Sequence, residues 1–282
     1  MYKIVQKRPL NSSVTLMEVQ APHIARKAKA GQFIIFRVDE EGERVPLTIA
    51  DYDREKGTVT IIFQIVGEST MLLNQLEVGD SILDFVGPLG LPTHVEPGAK
   101  RVCVIGGGVG NAIAYPQAKS LHQAGLQVDM IAGFRSKEIV ILEEEMRAVT
   151  DNLYIMTDDG TYGEHGLVTD KLNALLQAGN HYDEVIAIGP VIMMKFVCAA
   201  TKPYCIKTLV SLNPIMVDGT GMCGCCRVTV GGQTKFACVD GPDFDGHQVD
   251  FDELMKRNSF YRDAEAYAKE HVCHLTGGKR HA

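Results

Sequence analysis

Apolar and polar positions follow three successive patterns along the chain. In residues 1–98 the apolar positions come in short runs, SVTLMEV, QFIIFRV, TVTIIFQIV and SILDFVG. These runs are rich in β-branched residues, partly alternate with polar ones and are separated by turn residues, which predicts strands. Several such strands with little helix between them predict a small barrel or sandwich. In residues 99–207 the period changes. RVCVIGGGVG reads as a buried strand running into glycines, and NAIAYPQAKSLHQAG as a helix stopped by Gly125. Strand QVDMIAGF, helix EEEMRAV, strand NLYIMTDDG, helix VTDKLNALLQAG and strand EVIAIGP follow. This alternation predicts a parallel sheet covered by helices. Residues 208–282 return to short strands and turns around cysteines, then end in the polar, helical-looking FDELMKRNSFYRDAEAYAKEH.

Composition narrows the function classes. The 282 residues suit about two domains. The net charge of −7 and the lack of a basic, aromatic-interleaved patch argue against a nucleic-acid partner. The N-terminus has no apolar core with a small-residue cleavage site, so no signal peptide is expected. The longest apolar stretch, VIAIGPVIMMKFVCAA, is interrupted by Gly-Pro and Lys195 and is too short to span a membrane. A cytoplasmic protein is expected, and its eight cysteines are then thiols or metal ligands rather than disulfides. Cys103, Cys198 and Cys205 lie in apolar or irregular stretches and are expected to be packing residues. Cys273, beside two histidines, receives no role.

The α/β part carries candidate nucleotide chemistry. Glycines 106, 107, 108 and 110, with Val109 and Asn111, stand between a strand and a helix. Glycine permits a sharp turn and close approach of a ligand, and the helix start offers unpaired N–H groups to a pyrophosphate. The spacing is not a strict G-x-G-x-x-G, because the third glycine would fall on Asn111 or Ala112, and a tight structural turn is the plain alternative. Gly133 and Arg135, then Asp158, Asp159 and Gly160, then Gly189 and Pro190, each follow a strand. Ligands of open α/β sheets bind at those strand ends. For the two aspartates, turn or capping roles remain open. In the β part, Arg44 and Thr48 sit among apolar residues, and Gly67, Ser69 and Thr70 precede a helical run. They could form an anion site, or be a surface arginine and an ordinary helix cap.

The third part holds Cys223, Cys225 and Cys226 within four positions, Cys238 after a Gly-Gly turn, and Asp218 five residues before the first cysteine. Close-spaced thiolates on a loop with Gly219, Gly221 and Gly224 suit an iron–sulfur cluster. Structural zinc and a redox disulfide between neighbours are the rivals.

With three parts in this order, the chain resembles the ferredoxin-reductase superfamily. Within it the chain resembles the electron-transfer subunits of dihydroorotate dehydrogenase, and more closely the small subunits of NADH-dependent reduced ferredoxin:NADP⁺ oxidoreductases, which are also described as sulfide dehydrogenase subunits. The resemblance implies an FAD-binding β-barrel over 1–98, a ferredoxin-reductase-like NAD(H)-binding parallel sheet over 99–207, and a small [2Fe–2S] segment with a tail over 208–282. In the family's R-x-Y-S-like FAD motif, Thr48 falls at the serine, Leu47 at the aromatic that packs on the flavin, and Arg44 one residue before the arginine; Pro46 lies inside the motif. GEST at 67–70 resembles the second FAD loop, and GPLG at 87–90 the stretch that closes the barrel. GGGVGNA at 106–112 resembles the pyrophosphate loop, GFR and TDDG the loops around ribose and adenine, and GPVIMM, with Met193, the G-P-x-x-M-M near the nicotinamide.

For the cluster, the family's C-x4-C-x2-C with a distant fourth cysteine falls on Asp218, Cys223, Cys226 and Cys238, so an aspartate replaces the first thiolate. Cys225 or Cys205 is the alternative fourth ligand. The implied function is an electron-transfer flavoprotein subunit passing electrons between NAD(H), FAD and [2Fe–2S]. It would work in an electron-bifurcating heterodimer with a larger FAD/[4Fe–4S] subunit that handles ferredoxin and NADP(H). No acid–base catalytic residue is expected. The readings kept against it are a partnerless NADH oxidase or sulfide-linked reductase, the electron-transfer subunit of a dihydroorotate or sulfide dehydrogenase, and a nucleotide-binding module with structural zinc. NADH against NADPH stays undecided by the residues, and the resemblance favours NADH.

Overall fold

The computed structural model describes residues 1–267; the basic tail GGKRHA and Cys273 lie outside them. The first part is one seven-stranded antiparallel sheet: β1 (Tyr2–Pro9), β2 (Val14–Gln20), β3 (Phe33–Arg37), β4 (Val45–Asp53), β5 (Thr58–Gln64), β6 (Ser81–Ile82) and β7 (Asp84–Leu89). The spatial order is β6-β1-β2-β5-β4-β3-β7. The two edge strands are therefore consecutive in the chain, separated only by Leu83. A flat sheet cannot satisfy that, so the sheet curls until its edges meet. Helices α1 (Pro22–Lys27) and α2 (Glu68–Gln75) interrupt the strands. Inside the curl, Ile4, Met17, Ile34, Phe36, Ile61, Phe63 and Phe85 pack as one buried cluster.

Strands β1 and β4 are not among the runs read as strands. β1 buries only Ile4 and exposes charged residues, and β4 carries Pro46 and is mostly half-buried. Both pair normally nonetheless, β1 with β2 and β4 with β3 and β5.

The second part contains β8 (Arg101–Gly107), α3 (Asn111–Gln123), β9 (Gln127–Phe134), α4 (Glu143–Arg147), β10 (Asn152–Thr157), β11 (Glu164–His165), α5 (Val168–Gln177), β12 (Glu184–Ile188), α6 (Val191–Thr201) and β13 (Lys207–Ser211). Its strands pair in parallel in the order β11-β10-β9-β8-β12-β13. The chain starts at β8, runs outward on one side and later returns to the other side. The order therefore reverses between β8 and β12, and their C-terminal ends flank the crevice where such sheets take ligands.

The third part has the hairpin β14 (Arg227–Val230) and β15 (Gln233–Phe236), α7 (Ala237–Asp240), β16 (Asp243–Asp245) and α8 (Phe251–Asn258). It is not a separate lobe. β16 pairs antiparallel with β13 and extends the large sheet. Cys226, Val228, Cys238 and Phe244 share one core with Phe33 and Ile35 of β3 and with α5 and α6. The expected C-terminal helix breaks after Asn258 and resumes only beyond a turn. Among the described residues no helix is long and apolar enough to cross a membrane.

Candidate flavin, nucleotide and cluster site

The glycines after β8 do two different jobs. A Cβ on Gly107 would stand 2.5 Å from Met193 Sδ and 3.1 Å from Pro190, and one on Gly110 would stand 2.5 Å from the Ile188 carbonyl oxygen. These glycines let the loop after β8 pack against the Gly189-Pro190 loop after β12. Gly189 in turn faces Gly107 and the Met193 methyl. Two stretches far apart in sequence thus form one wall of the crevice. Gly108 is different: φ is +57°, and nothing lies within 4 Å of where a Cβ would be. It is the glycine whose open face suits a ligand. Val109, partly buried, packs on the core beneath α3.

Asn111 opens α3 and is fully buried. Its side-chain amide donates to the carbonyls of Gly108 at 3.0 Å and Gly133 at 3.2 Å, tying the loops after β8 and β9 together. Gly133 itself is needed for packing, since a Cβ there would meet Val168 at 2.4 Å. The β9 and β10 loops are also joined: the amide of Asp158 donates to the Phe134 carbonyl at 3.0 Å, and that of Asp159 to the Arg135 carbonyl at 3.2 Å. The two aspartates then diverge. Asp159 accepts from the Thr161 hydroxyl at 2.7 Å and the Thr161 amide at 3.0 Å, which hold its carboxyl below the usual carboxylate value. It serves its own turn, which Gly160 completes with φ +70°. Asp158 and Arg135 are exposed, and their charged groups make no hydrogen bond or ion pair among the described residues.

In the barrel, Pro46, Leu47 and Thr48 stand on β4 opposite Ile35, Ile34 and Phe33. Leu47 packs against the barrel core. Gly67 is the N-cap of α2, and a Cβ on it would meet nothing within 4 Å. The Thr70 hydroxyl accepts from the amides of Val66 at 3.0 Å and Gly67 at 3.1 Å and donates to the Gly67 carbonyl at 2.9 Å. That hydroxyl is committed to the cap, and Ser69 is half-buried beside it. Arg44 is tied elsewhere. Its guanidinium donates to the carbonyls of Val217 at 3.0 Å and Asp218 at 3.4 Å, in the cysteine loop.

That loop is shaped by Gly219, Gly221 and Gly224, with φ of +77°, +84° and +69°. It lies on the barrel, since a Cβ on Gly219 would strike Ile35 at 2.6 Å and Leu89 at 2.8 Å. Cys226 and Cys238 are buried with their sulfurs 3.2 Å apart. Burial pushes the Cys238 thiol up to about 12. Asp218 accepts from the amides of Thr220 at 2.7 Å and Cys223 at 2.8 Å, which hold it low.

Among the described residues no three such donors converge on a single-ion site, as closed tetrahedral zinc requires. A two-iron cluster needs instead two donors at each iron, and Cys226/Cys238 with Cys223/Asp218 provide two pairs. Two hydrogen bonds leave the Asp218 carboxylate further lone pairs. Cys205 lies in another turn, exposed with φ +53°, and is not the packing residue expected. Cys103 and Cys198 are buried as expected.

A curled flavin-reductase-type barrel, a parallel sheet with loops gathered at its switch point and a cysteine-bearing segment define a ferredoxin-reductase-like electron-transfer protein with an iron–sulfur domain. Comparison with known proteins agrees. Residues 213–250 match the iron–sulfur cluster binding domain of dihydroorotate dehydrogenase B. A Clostridium beijerinckii protein described as an uncharacterized protein in the adh 3' region is 53% identical over 96% of this chain and 94% of its own. A Thermotoga maritima homolog of the dihydroorotate dehydrogenase B (NAD(+)) electron transfer subunit is 44% identical over 98% and 96% of the two chains. The solved structure of the NADH-dependent reduced ferredoxin-NADP oxidoreductase, described for flavin-based electron bifurcation, has a chain that superposes with a TM-score of 0.91. That chain has 43% identity, over 97% of this chain and 98% of its own. The chain belongs to the family of dihydroorotate dehydrogenase B electron-transfer subunits and their homologues.

Proposed function

We propose that this chain is the electron-transfer subunit of an NADH-dependent reduced ferredoxin–NADP oxidoreductase, working with a larger flavin and [4Fe–4S] subunit in electron bifurcation. The observation that carries the reading is the seating of the cysteine loop on barrel strands β3 and β7. It occurs in a chain that matches such an oxidoreductase chain over 97% of its length. The aspartate at the first ligand position favours this assembly over a dihydroorotate dehydrogenase, whose relatives carry cysteine there.

Bound NAD(H) and FAD exchange an electron pair as hydride, and an iron–sulfur cluster carries electrons singly. The chain's own residues bind and orient. Gly108 and the start of α3 would receive the nucleotide pyrophosphate, with Gly107, Val109, Gly110 and Asn111 shaping that loop. Gly133, Arg135, Asp158, Asp159 and Gly160 would border the ribose and adenine. Gly189, Pro190 and Met193 would form the wall beside the nicotinamide. Pro46, Leu47, Thr48, Gly67, Ser69 and Thr70 would border FAD. Asp218, Cys223, Cys226 and Cys238 would hold [2Fe–2S]. No side chain is required to move a proton. The same reading divides the chain at about residues 98 and 207, with the third part leaning on both others, and places it in the cytoplasm.

The test is an anaerobic NADH titration of the purified chain followed by visible spectra. Joint loss of flavin and iron–sulfur absorbance is expected. A colourless, zinc-loaded protein would overturn the proposal.

A further inference from the structure

The cysteine loop is irregular backbone, so its carbonyls and amides need partners outside any sheet ladder. The two kinds of group find different partners. On one side, the amides of Thr220 and Cys223 donate to the Asp218 carboxylate, and the Cys238 amide approaches Cys226 Sγ at 3.5 Å. On the other side, carbonyls meet arginines. From the barrel, Arg44 donates to Val217 and Asp218 at 3.0 and 3.4 Å. From α8, Arg257 donates to the Cys225 carbonyl at 3.2 Å. Arg227 reaches the Gly224 carbonyl at 3.3 Å, but it is exposed, whereas Arg44 and Arg257 are half-buried.

We propose that Arg44 and Arg257 are positioning residues for the iron–sulfur centre. They form a two-sided guanidinium clamp that fixes the loop carbonyls, aims the loop amides at the ligand set and sets two permanent positive charges beside it. The inference rests on the electron-transfer reading above. It moves Arg44 from the flavin pyrophosphate, where its place in the sequence pointed, to the junction of barrel and cluster loop. Guanidinium stays charged at any working pH. Fixed positive charge favours the more negative, reduced form of a cluster, and net charge and hydrogen bonding both tune its potential. The clamp therefore raises the midpoint potential and slows opening of the loop.

The experiment compares wild type, Arg44→Gln, Arg44→Lys and Arg257→Gln as full chains purified anaerobically. It reads flavin content, the EPR midpoint potential of the cluster and the rate of iron release to a chelator. Arg44→Gln and Arg257→Gln should retain flavin, lower the midpoint potential and release iron roughly tenfold faster, as loss of charge-assisted hydrogen bonds implies. Arg44→Lys keeps the charge without the fork. It should hold a potential near wild type while still releasing iron faster.

The proposal fails if Arg44→Gln loses flavin while potential and iron release stay at wild-type values, since Arg44 then serves the flavin. It also fails if none of the three readouts moves. If Arg44→Gln loses both groups, Arg257→Gln decides: a lowered potential with faster release supports the clamp, and wild-type values overturn it. A wild-type chain with neither flavin nor cluster would instead sink the functional reading on which the clamp rests.

Discussion

The two edges of the parallel sheet use polar residues in opposite ways. At the N-terminal edge, Asp129 is fully buried and accepts from Arg101 at 2.7 Å, Tyr182 at 2.8 Å and Asn152 at 2.8 Å. Arg101 also bonds Asn180 and lies over the Tyr182 ring at 5.0 Å. Asp183 takes the amides of Lys100 and Arg101 at 2.8 and 2.9 Å. At the C-terminal edge, Arg135 and Asp158 extend from neighbouring strands with no such partners among the described residues. A charge bonded to several partners within the protein holds the fold together. A charge with none, at the end where α/β sheets take ligands, remains available for recognition.

Substitutions that part stability from binding test this contrast, and the largest effect is expected at the closed edge. Asp129→Ala strands the buried Tyr182 phenol and deprives the half-buried Arg101 of its ion-pair partner. It should cost about 3–5 kcal/mol in denaturant unfolding, and a loss below ~1 kcal/mol would erase the distinction between the edges. Gly110→Val comes next, because its side chain must displace the Ile188 carbonyl. A destabilisation of about 1–3 kcal/mol is expected, together with failure of NADH to bleach the flavin; normal bleaching would mean that the two loop walls can part freely. Arg135→Ala should leave stability within about 0.5 kcal/mol of wild type. It should weaken NADH binding roughly fivefold, about 1 kcal/mol, as read by spectral titration, and a change in stability without one in affinity would put Arg135 with the closed edge.

An effect no larger is expected for Asp183→Ala, about 1 kcal/mol for the lost amide contacts. The two amides hold the Asp183 carboxyl below its ordinary 3.8. Its stabilisation is therefore present above that pH and lost as pH falls through the lower folded value. The gap between wild type and variant should close in acid, and a gap that stays constant down to pH ~2 would contradict the assignment.

Much of the fold was legible because period is a local property. The alternation from residue 99 onward placed β8, α3, β9, α4, β10, α5 and β12 but not β11, α6 or β13, and the short apolar runs placed β2, β3 and β5. Strands with little buried area escaped: β1 buries one residue, and β4 is half-exposed around Pro46. Within the site, the glycine loops were visible as motifs, but their division of labour was not. Gly107 and Gly110 look the same in sequence as Gly108, yet they pack against Met193 and Ile188 while Gly108 faces open space. Arg257 carried no signal at all, being one of two adjacent cations on a polar helix.

By itself, the sequence determined the order of the three kinds of segment and the class of chemistry. Thiols, glycines and strand ends are properties of short stretches, and short stretches obey steric and periodic rules wherever they lie. The tertiary structure decided which stretches meet. It brought GGGVG against GPVIMM, paired Cys226 with Cys238, and carried Arg44 across 173 positions to the cysteine loop. Such contacts depend on how three packed parts share one core, and no local rule fixes where a long, flexible guanidinium finds its acceptors.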